Sequence, residues 1–336
     1  MLAKLTLIAA VAAANEIEEE EELHNHFVAR KWTRAYKFGT GWCGHAGAYT
    51  QYADLTGDGR ADQTCSDHLG RHWHRAAYGN GSFGATVYSA NIKGWCGGAT
   101  AWTRFADLNG DHKAEMLCDV QKGGHHWAML GYGGAWNPHH TKKHSAGWCG
   151  HAGAYTQYAD INGDGKVDMT CDDTFGRHWT AYHKGDATFY YKYHAALYRW
   201  CGHAGGFTSW ADINGDNKAD ITCNDTAGRH WSRLSTGYAW GPSVYHGANW
   251  CKGGITRYSN FWYDAYHPKA QDMMCDFGQY HFIRPSLGNG HFHSHTWKVL
   301  GGPWCNAAGT KYADVNGNGV DDLICDISGG HWMFAH

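Results

Sequence analysis

The chain has 336 residues, with 28 Lys plus Arg against 31 Asp plus Glu and a formal charge of −3. That balance gives no electrostatic basis for binding nucleic acid, and no apolar run reaches the ~20 residues a helix needs to cross a bilayer. With 46 Gly, 5 Pro, 18 Trp and 20 Tyr, the composition suits many short strands joined by glycine turns.

In chain order, Lys4 precedes a short apolar run over residues 5–14 that ends in Ala12-Ala13-Ala14. A basic start, an apolar centre and small residues at the end read as a secretory signal over 1–14. The competing reading is an Ala/Leu/Glu helix that stays attached. An acidic segment, 15–23, follows with Glu16 and Glu18 to Glu22. Residues 24–336 form a repeat domain whose units start near 42, 95, 148, 200, 250 and 304, at Trp-Cys pairs spaced by 53, 53, 52, 50 and 54. A fixed period of this length marks an array in which no unit buries its own core. In the first unit, strands are expected over 50–55, 62–67, 71–78 and 85–90.

All 12 cysteines fall at the same two places in the repeat. The pairing that respects the period is Cys43-Cys65, Cys96-Cys118, Cys149-Cys171, Cys201-Cys223, Cys251-Cys275 and Cys305-Cys325, although sequence leaves other connectivities open. Zinc is the competing use, but no C-x-x-C pair occurs. Disulfides on this scale imply an oxidising, extracellular setting, and each loop of ~20 residues is worth about 3 kcal/mol in the chain-entropy model.

Between the cysteines lies a nine-residue acidic loop. Its positions 1, 3, 5, 7 and 9 are Asp54, Thr56, Asp58, Arg60 and Asp62 in the first unit, and Asp107, Asn109, Asp111, Lys113 and Glu115 in the second. The third has Asp160, Asn162, Asp164, Lys166 and Asp168; the fourth has Asp212, Asn214, Asp216, Lys218 and Asp220. Oxygen side chains at 1, 3, 5 and 9, a carbonyl at 7 and glycines for the turn suit Ca2+, a hard cation that takes 6–8 oxygens. His112 occupies a non-ligand slot, so a transition metal is not expected. An EF-hand is excluded by the strand and cysteine that replace its last Glu and second helix. An alternative is an Asx-rich turn with no ion. In the fifth unit, aligning on the second cysteine makes Asp264 position 1 and puts Tyr266 and Pro268 at 3 and 5, so that loop should hold no ion. The sixth offers Asp314, Asn316, Asn318, Val320 and Asp322, with two acids, hence a weaker site. About five calcium sites are expected, one of them weak.

An Asp-x-Asn-Gly-Asp-Gly-x-x-Asp loop, repeated between short strands over residues 42–332, resembles the FG-GAP/VCBS repeats of integrin α-chain heads and certain fungal lectins. The resemblance implies an all-β β-propeller, here of six four-stranded blades, with calcium in the loop joining the first two strands. The strand reading fits such a blade, and radial repetition leaves only short protected edges.

A second repeated signature is His72-Trp73, His126-Trp127, His178-Trp179, His230-Trp231 and His331-Trp332, with His281-Phe282 in the fifth unit. Gly-Arg precedes three of them, and Cys-Gly-His-Ala-Gly recurs at Cys43, Cys149 and Cys201. Two readings compete: aromatic platforms for sugars, or Trp packed between blades with His capping a carbonyl. Successive strand residues face opposite ways, so His and Trp cannot share a face, which favours packing. Beyond the six N-terminal Glu, almost every acid lies on the repeat pattern; only Asp186 and Asp321 do not. A catalytic carboxylate pair would be an asymmetric intrusion, so no catalytic residue is assigned.

These features imply a secreted, calcium-binding, non-enzymatic structural or adhesive module. A calcium-dependent lectin is the second reading and a propeller glycosidase or lyase the third. Candidate partners are glycans and, through strand exchange, further copies of the chain building a fibre; nucleic acid is not expected. Asn80 and Asn224 lie in glycosylation sequons. After Trp332 only 333–336 remain, too few for a fourth strand, so a strand over 28–36 is expected to complete the sixth sheet, within one molecule or by donation.

Overall fold

The computed structural model describes residues 36–145, 147–186, 188–192, 197–262, 269–300, 302–327 and 330–335. The proposed signal and acidic segment lie outside them. The chain folds as six antiparallel four-stranded sheets, the blades of an all-β propeller. Blade one consists of Ala48–Ala53, Asp62–Asp67, His72–Arg75 and Val87–Tyr88. The second strand matches expectation. The third and fourth are shorter than expected, because beyond Arg75 only an isolated bridge, Ala77 to Phe83, continues the hairpin. First strands of neighbouring blades approach one another and line the axis.

Second strands are buried along their whole length in blades one, three and four, so their polar ends must find partners inside the protein. The four larger apolar clusters sit between blades. Leu108, Leu117 and Ala128 of blade two pack with Met169, Ala181 and Phe189 of blade three. Phe261, Met274 and Ile283 of blade five pack with Leu323 of blade six. Neighbouring blades therefore share core, as the period implied.

Six disulfides, one per blade, join the expected pairs with Cα–Cα distances of 5.4–5.6 Å. The first cysteine is left-handed in five blades, with φ between 53° and 59°, a region that suits few non-glycine residues. Here the bridge to the second strand fixes it. No helix among the described residues is long and apolar enough to cross a membrane.

The last sheet closes the ring. Its order is Tyr36–Gly39, Gly330–Phe334, Asp322–Ile327 and Thr310–Ala313, with Tyr36 opposite Met333 and Lys37 opposite Trp332. The N-terminal strand thus completes blade six within one molecule; its described part is 36–39, and the rest of the expected 28–36 span lies outside the described residues. The strand must end beside Trp42, whose carbonyl lies 2.8 Å from His331 Nε2 in the sheet it completes. Residues 24–35 lie outside the described ones.

Candidate functional site

The acidic loops all cap the same end of their blades, between first and second strands. In the first loop Asp54 Oδ1 accepts the N–H groups of Thr56, Gly57 and Asp58 at 3.1, 2.7 and 3.3 Å, and Oδ2 that of Gly59 at 2.8 Å. Gly57 and Gly59 have φ of 78° and 79°, which lets the chain curl around that carboxylate. Asp160, Asp212 and Asp314 gather their loops in the same way. At position 5, Asp58 accepts the Arg60 N–H and pairs with the Arg60 guanidinium; Asp216 pairs with Lys218 at 3.0 Å.

Position 9 is different. Asp62, Glu115, Asp168 and Asp220 are fully buried. One oxygen accepts the N–H of position 2, at 2.9, 2.8, 3.1 and 3.0 Å. In three of these blades the other accepts an N–H at or just past the end of the third strand: Ala77, His183 or Ser235. Position 2 itself is an apolar plug: Leu55, Leu108, Ile161, Ile213, Phe261 and Val315 are at most 1% exposed. The sequence pattern assigns position 9 as a ligand and gives position 2 no role. The apolar residue after every leading Asp was the available signal.

Among the described residues, no three His, Cys, Asp or Glu side chains converge to hold a metal by themselves. Positions 1 and 9 are turned toward backbone N–H groups. The donor chemistry still fits a hard cation. All donors are oxygens, and Asn109 Nδ2 lies 3.1 Å from Glu115 Oε1, so positions 3 and 9 adjoin. Burial, with the acids at positions 1 and 5 adding to it, pushes Asp62 up to about 6, Glu115 and Asp168 to about 7, and Asp220 to about 8.

The loops are also linked to one another. The position-8 N–H of each donates to the position-1 carbonyl of the preceding blade: Ala114 to Asp54 at 2.7 Å, Val167 to Asp107 at 3.0 Å, Ala219 to Asp160 at 2.7 Å and Gln271 to Asp212 at 2.7 Å. Asp321 to Asn260 at 2.8 Å and Ala61 to Asp314 at 2.7 Å complete the circle. This ring corrects the fifth-loop alignment. Asn260, not Asp264, occupies position 1, since Phe261 N–H reaches Asp272 as Leu55 N–H reaches Asp62. The fifth loop carries an insertion that alignment on the cysteine hid. Residues 263–268, including Asp264, Tyr266 and Pro268, lie outside the described ones.

At the opposite end, the His of each His-Trp pair bridges blades. Nε2 faces the carbonyl of the next blade's Trp: His72 to Trp95 at 3.0 Å, His126 to Trp148 at 3.0 Å, His178 to Trp200 at 2.9 Å and His230 to Trp250 at 2.9 Å. Nδ1 faces the residue after the second cysteine: Ser66, Asp119, Asp172, Asn224, Asp276 or Asp326. The next blade's aromatic donates to several of the same groups, as Tyr158 to Asp119 at 2.6 Å and Tyr52 to Asp326 at 2.9 Å. The chain Tyr–Asp–His has the residue types of an acid–base relay, yet it is buried and recurs around the ring, so it joins blades. Asn224 is part of it and is fully buried. The folded chain therefore offers no glycan acceptor at that sequon, whereas Asn80 is exposed.

The Trp of each pair faces the other way and is half-buried. In blades one, three and four it anchors a polar cluster. Asp67 accepts from Arg71 Nε at 2.6 Å and lies 3.0 Å from His45 Nε2. Trp73 meets the His45 ring edge-on at 5.3 Å, and the Arg71 guanidinium lies 5.5 Å from its centroid. Asp173, Arg177, His151 and Trp179 repeat the geometry at 2.6, 3.1, 5.5 and 5.3 Å. Asp225, Arg229, His203 and Trp231 do so at 2.6, 3.1, 5.4 and 5.6 Å. The aspartates are buried, while the His side chains are 36–38% exposed. The Gly-Arg and Cys-Gly-His fragments are separate in sequence; only folding brings them together.

No family model matches the chain, and no curated protein matches it. Among solved structures, a lectin from Agrocybe aegerita, described for specific recognition of non-reducing terminal N-acetylglucosamine, superposes with a TM-score of 0.58 at 19% identity, covering 82% of this chain and 74% of that one. A TcdB2-TccC3-Cdc42 complex matches at 0.50 and 16% identity over 91% of this chain, which spans only 15% of that chain. The BP39L lectin from Burkholderia pseudomallei scores 0.48 at 11% identity, covering 88% and 84%. At these identities the likeness is one of fold.

Proposed function

We propose that this chain is a secreted, non-enzymatic adhesive propeller that binds carbohydrate, with calcium holding its acidic loops. The observation that carries the reading is the cluster of a half-buried Trp with a partly exposed His and Arg, found in three blades. Apolar ring edges beside oriented donors suit a sugar, which presents C–H patches and hydroxyls together. The lectin described for N-acetylglucosamine supports the reading at the level of fold, and the loop motif supports an FG-GAP/VCBS relationship. Binding of the full chain to a printed glycan array, with and without EGTA, tests it. No response on any sugar would remove the carbohydrate reading.

Calcium would be held by the position 1, 3, 5 and 9 side chains and the position 7 carbonyl of the first four loops and, more weakly, the sixth. When bound it supplies positive charge among acids that burial and mutual repulsion disfavour. The chain's own residues shape the loop: glycines turn it and position 2 anchors it. Elemental analysis of dialysed protein tests this, and a calcium content of zero would end it. A fibre would require the strand that completes blade six to come from a neighbouring copy of the chain.

A further inference from the structure

The polar cluster is present whole or absent whole. Its His follows the first cysteine by two residues, its Asp follows the second by two, and its Arg precedes His-Trp. Blades one, three and four carry His45/Asp67/Arg71, His151/Asp173/Arg177 and His203/Asp225/Arg229. The same positions are Gly98/Val120/His125 in blade two, Gly253/Phe277/Tyr280 in blade five and Ala307/Ile327/Gly330 in blade six. Blades two, five and six nevertheless keep the four-stranded sheet and the disulfide. Three separate segments of sequence change together while the blade does not. The trio is therefore dispensable for folding a blade, and a shared ligand explains why its members travel together.

We propose that the chain carries three equivalent sugar sites, in blades one, three and four, that open on one face of the ring and seat it flat on a repetitive glycan surface. This rests on the carbohydrate reading above. The buried aspartate is the positioning residue. It fixes Arg Nε and His Nε2, leaving both guanidinium Nη groups without a hydrogen-bond acceptor among the described residues. Those donors meet an acceptor oxygen of the sugar, whether hydroxyl, amide carbonyl or carboxylate, while the half-buried Trp ring meets its C–H patch. All three clusters lie where second strands end and third strands begin, opposite the acidic loops. On a ring of six blades they are spaced one, two and three blades apart. Sites sharing one face engage one surface together, so each raises the effective concentration of the next, and avidity exceeds single-site affinity by about 10²–10⁴.

The test compares wild type with Arg177→Gln, a double Arg71→Gln/Arg177→Gln and a triple variant adding Arg229→Gln. The probe is one array of neutral and acidic oligosaccharides printed at low and high density. His125→Ala, at the matching place in blade two, is the control. Signals on dense spots should fall steeply with each substitution and vanish in the triple variant, with melting temperature unchanged and the control unaffected. The class of spot that responds, neutral or acidic, identifies which acceptor meets the arginine. A triple variant that binds as wild type does, or equal loss in the control, overturns the three-site assignment while leaving carbohydrate binding standing. No signal from wild type overturns the carbohydrate reading itself.

Discussion

The two ends of this ring are built on opposite rules. At the acidic-loop end every blade follows one plan: a leading Asp, or Asn260 in blade five, an apolar plug, a buried acid and a backbone bond to the preceding blade. At the other end a buried His recurs in all six blades and meets the next blade's Trp carbonyl in five of them, while the exposed cluster occupies blades one, three and four. A feature needed in every blade is about closing the ring. A feature that half the blades omit without loss of their sheet is about something outside the protein.

The largest effect is expected from the buried acid. Asp220→Ala strands the N–H groups of Ile213 and Ser235, and each buried unsatisfied donor costs about 1–3 kcal/mol. Asp272→Ala strands Phe261, Trp262 and Ser286 in blade five. Urea unfolding should give a similar loss for both, about 3 kcal/mol or more. If Asp272→Ala is near neutral while Asp220→Ala is not, position 9 works through an ion rather than the backbone. Next comes removal of calcium. An ion that binds only the folded chain stabilises it by about 2.7 kcal/mol at 100 times its Kd, so EGTA should lower the melting temperature and Asp216→Asn should shrink that shift. A melt indifferent to EGTA would break the account of the loop end. Smaller still is Arg177→Gln, where an ion pair at a partly exposed guanidinium is worth about 0–1 kcal/mol. Calorimetry should find the melt nearly unchanged, and a large loss would make the cluster structural.

The period, the cysteine spacing and the acidic loop were legible because each is written locally and copied. Disulfide pairs such as Cys43-Cys65 recur at an interval of 22 in four units, 24 in the fifth and 20 in the sixth, so the pairing that respects the period could be read by counting. What was not legible depends on residues from different blades or separated segments. Tyr158 meets Asp119 and His126 only across a blade boundary. His45 meets Asp67 only when the first strand returns beside the second. In blade five the insertion displaced the acid count by four, so Asp264 took the place of Asn260 in the alignment. The closing strand runs past its expected end at 36 to Gly39, because the geometry of His331 and Trp42, residues far apart in sequence, decides where it ends.

The smallest prediction separates members of the bridge itself. His72 and His230 face Ser66 and Asn224, and burial holds both pKa values below the usual 6.5. His331 is also buried, but Asp326 at 2.5 Å and the Trp42 carbonyl outweigh that cost, and its pKa stands above 6.5 although Arg75 opposes it. The Tyr52 hydroxyl donates to Asp326, and the Phe38 and Trp42 rings flank the imidazole. A histidine raised on folding contributes stability that is complete below its unfolded pKa and fades as pH rises through the folded one. The seam between blades six and one should therefore be strongest in mild acid, whereas those held by His72 and His230 weaken there. Imidazole NMR should order the three, with His331 highest. Asp326→Asn should cost more stability at about pH 5.5 than at about pH 8.5. Equal losses at both would mean that His331 holds the seam as a neutral donor, and that its bridge works no differently from the others.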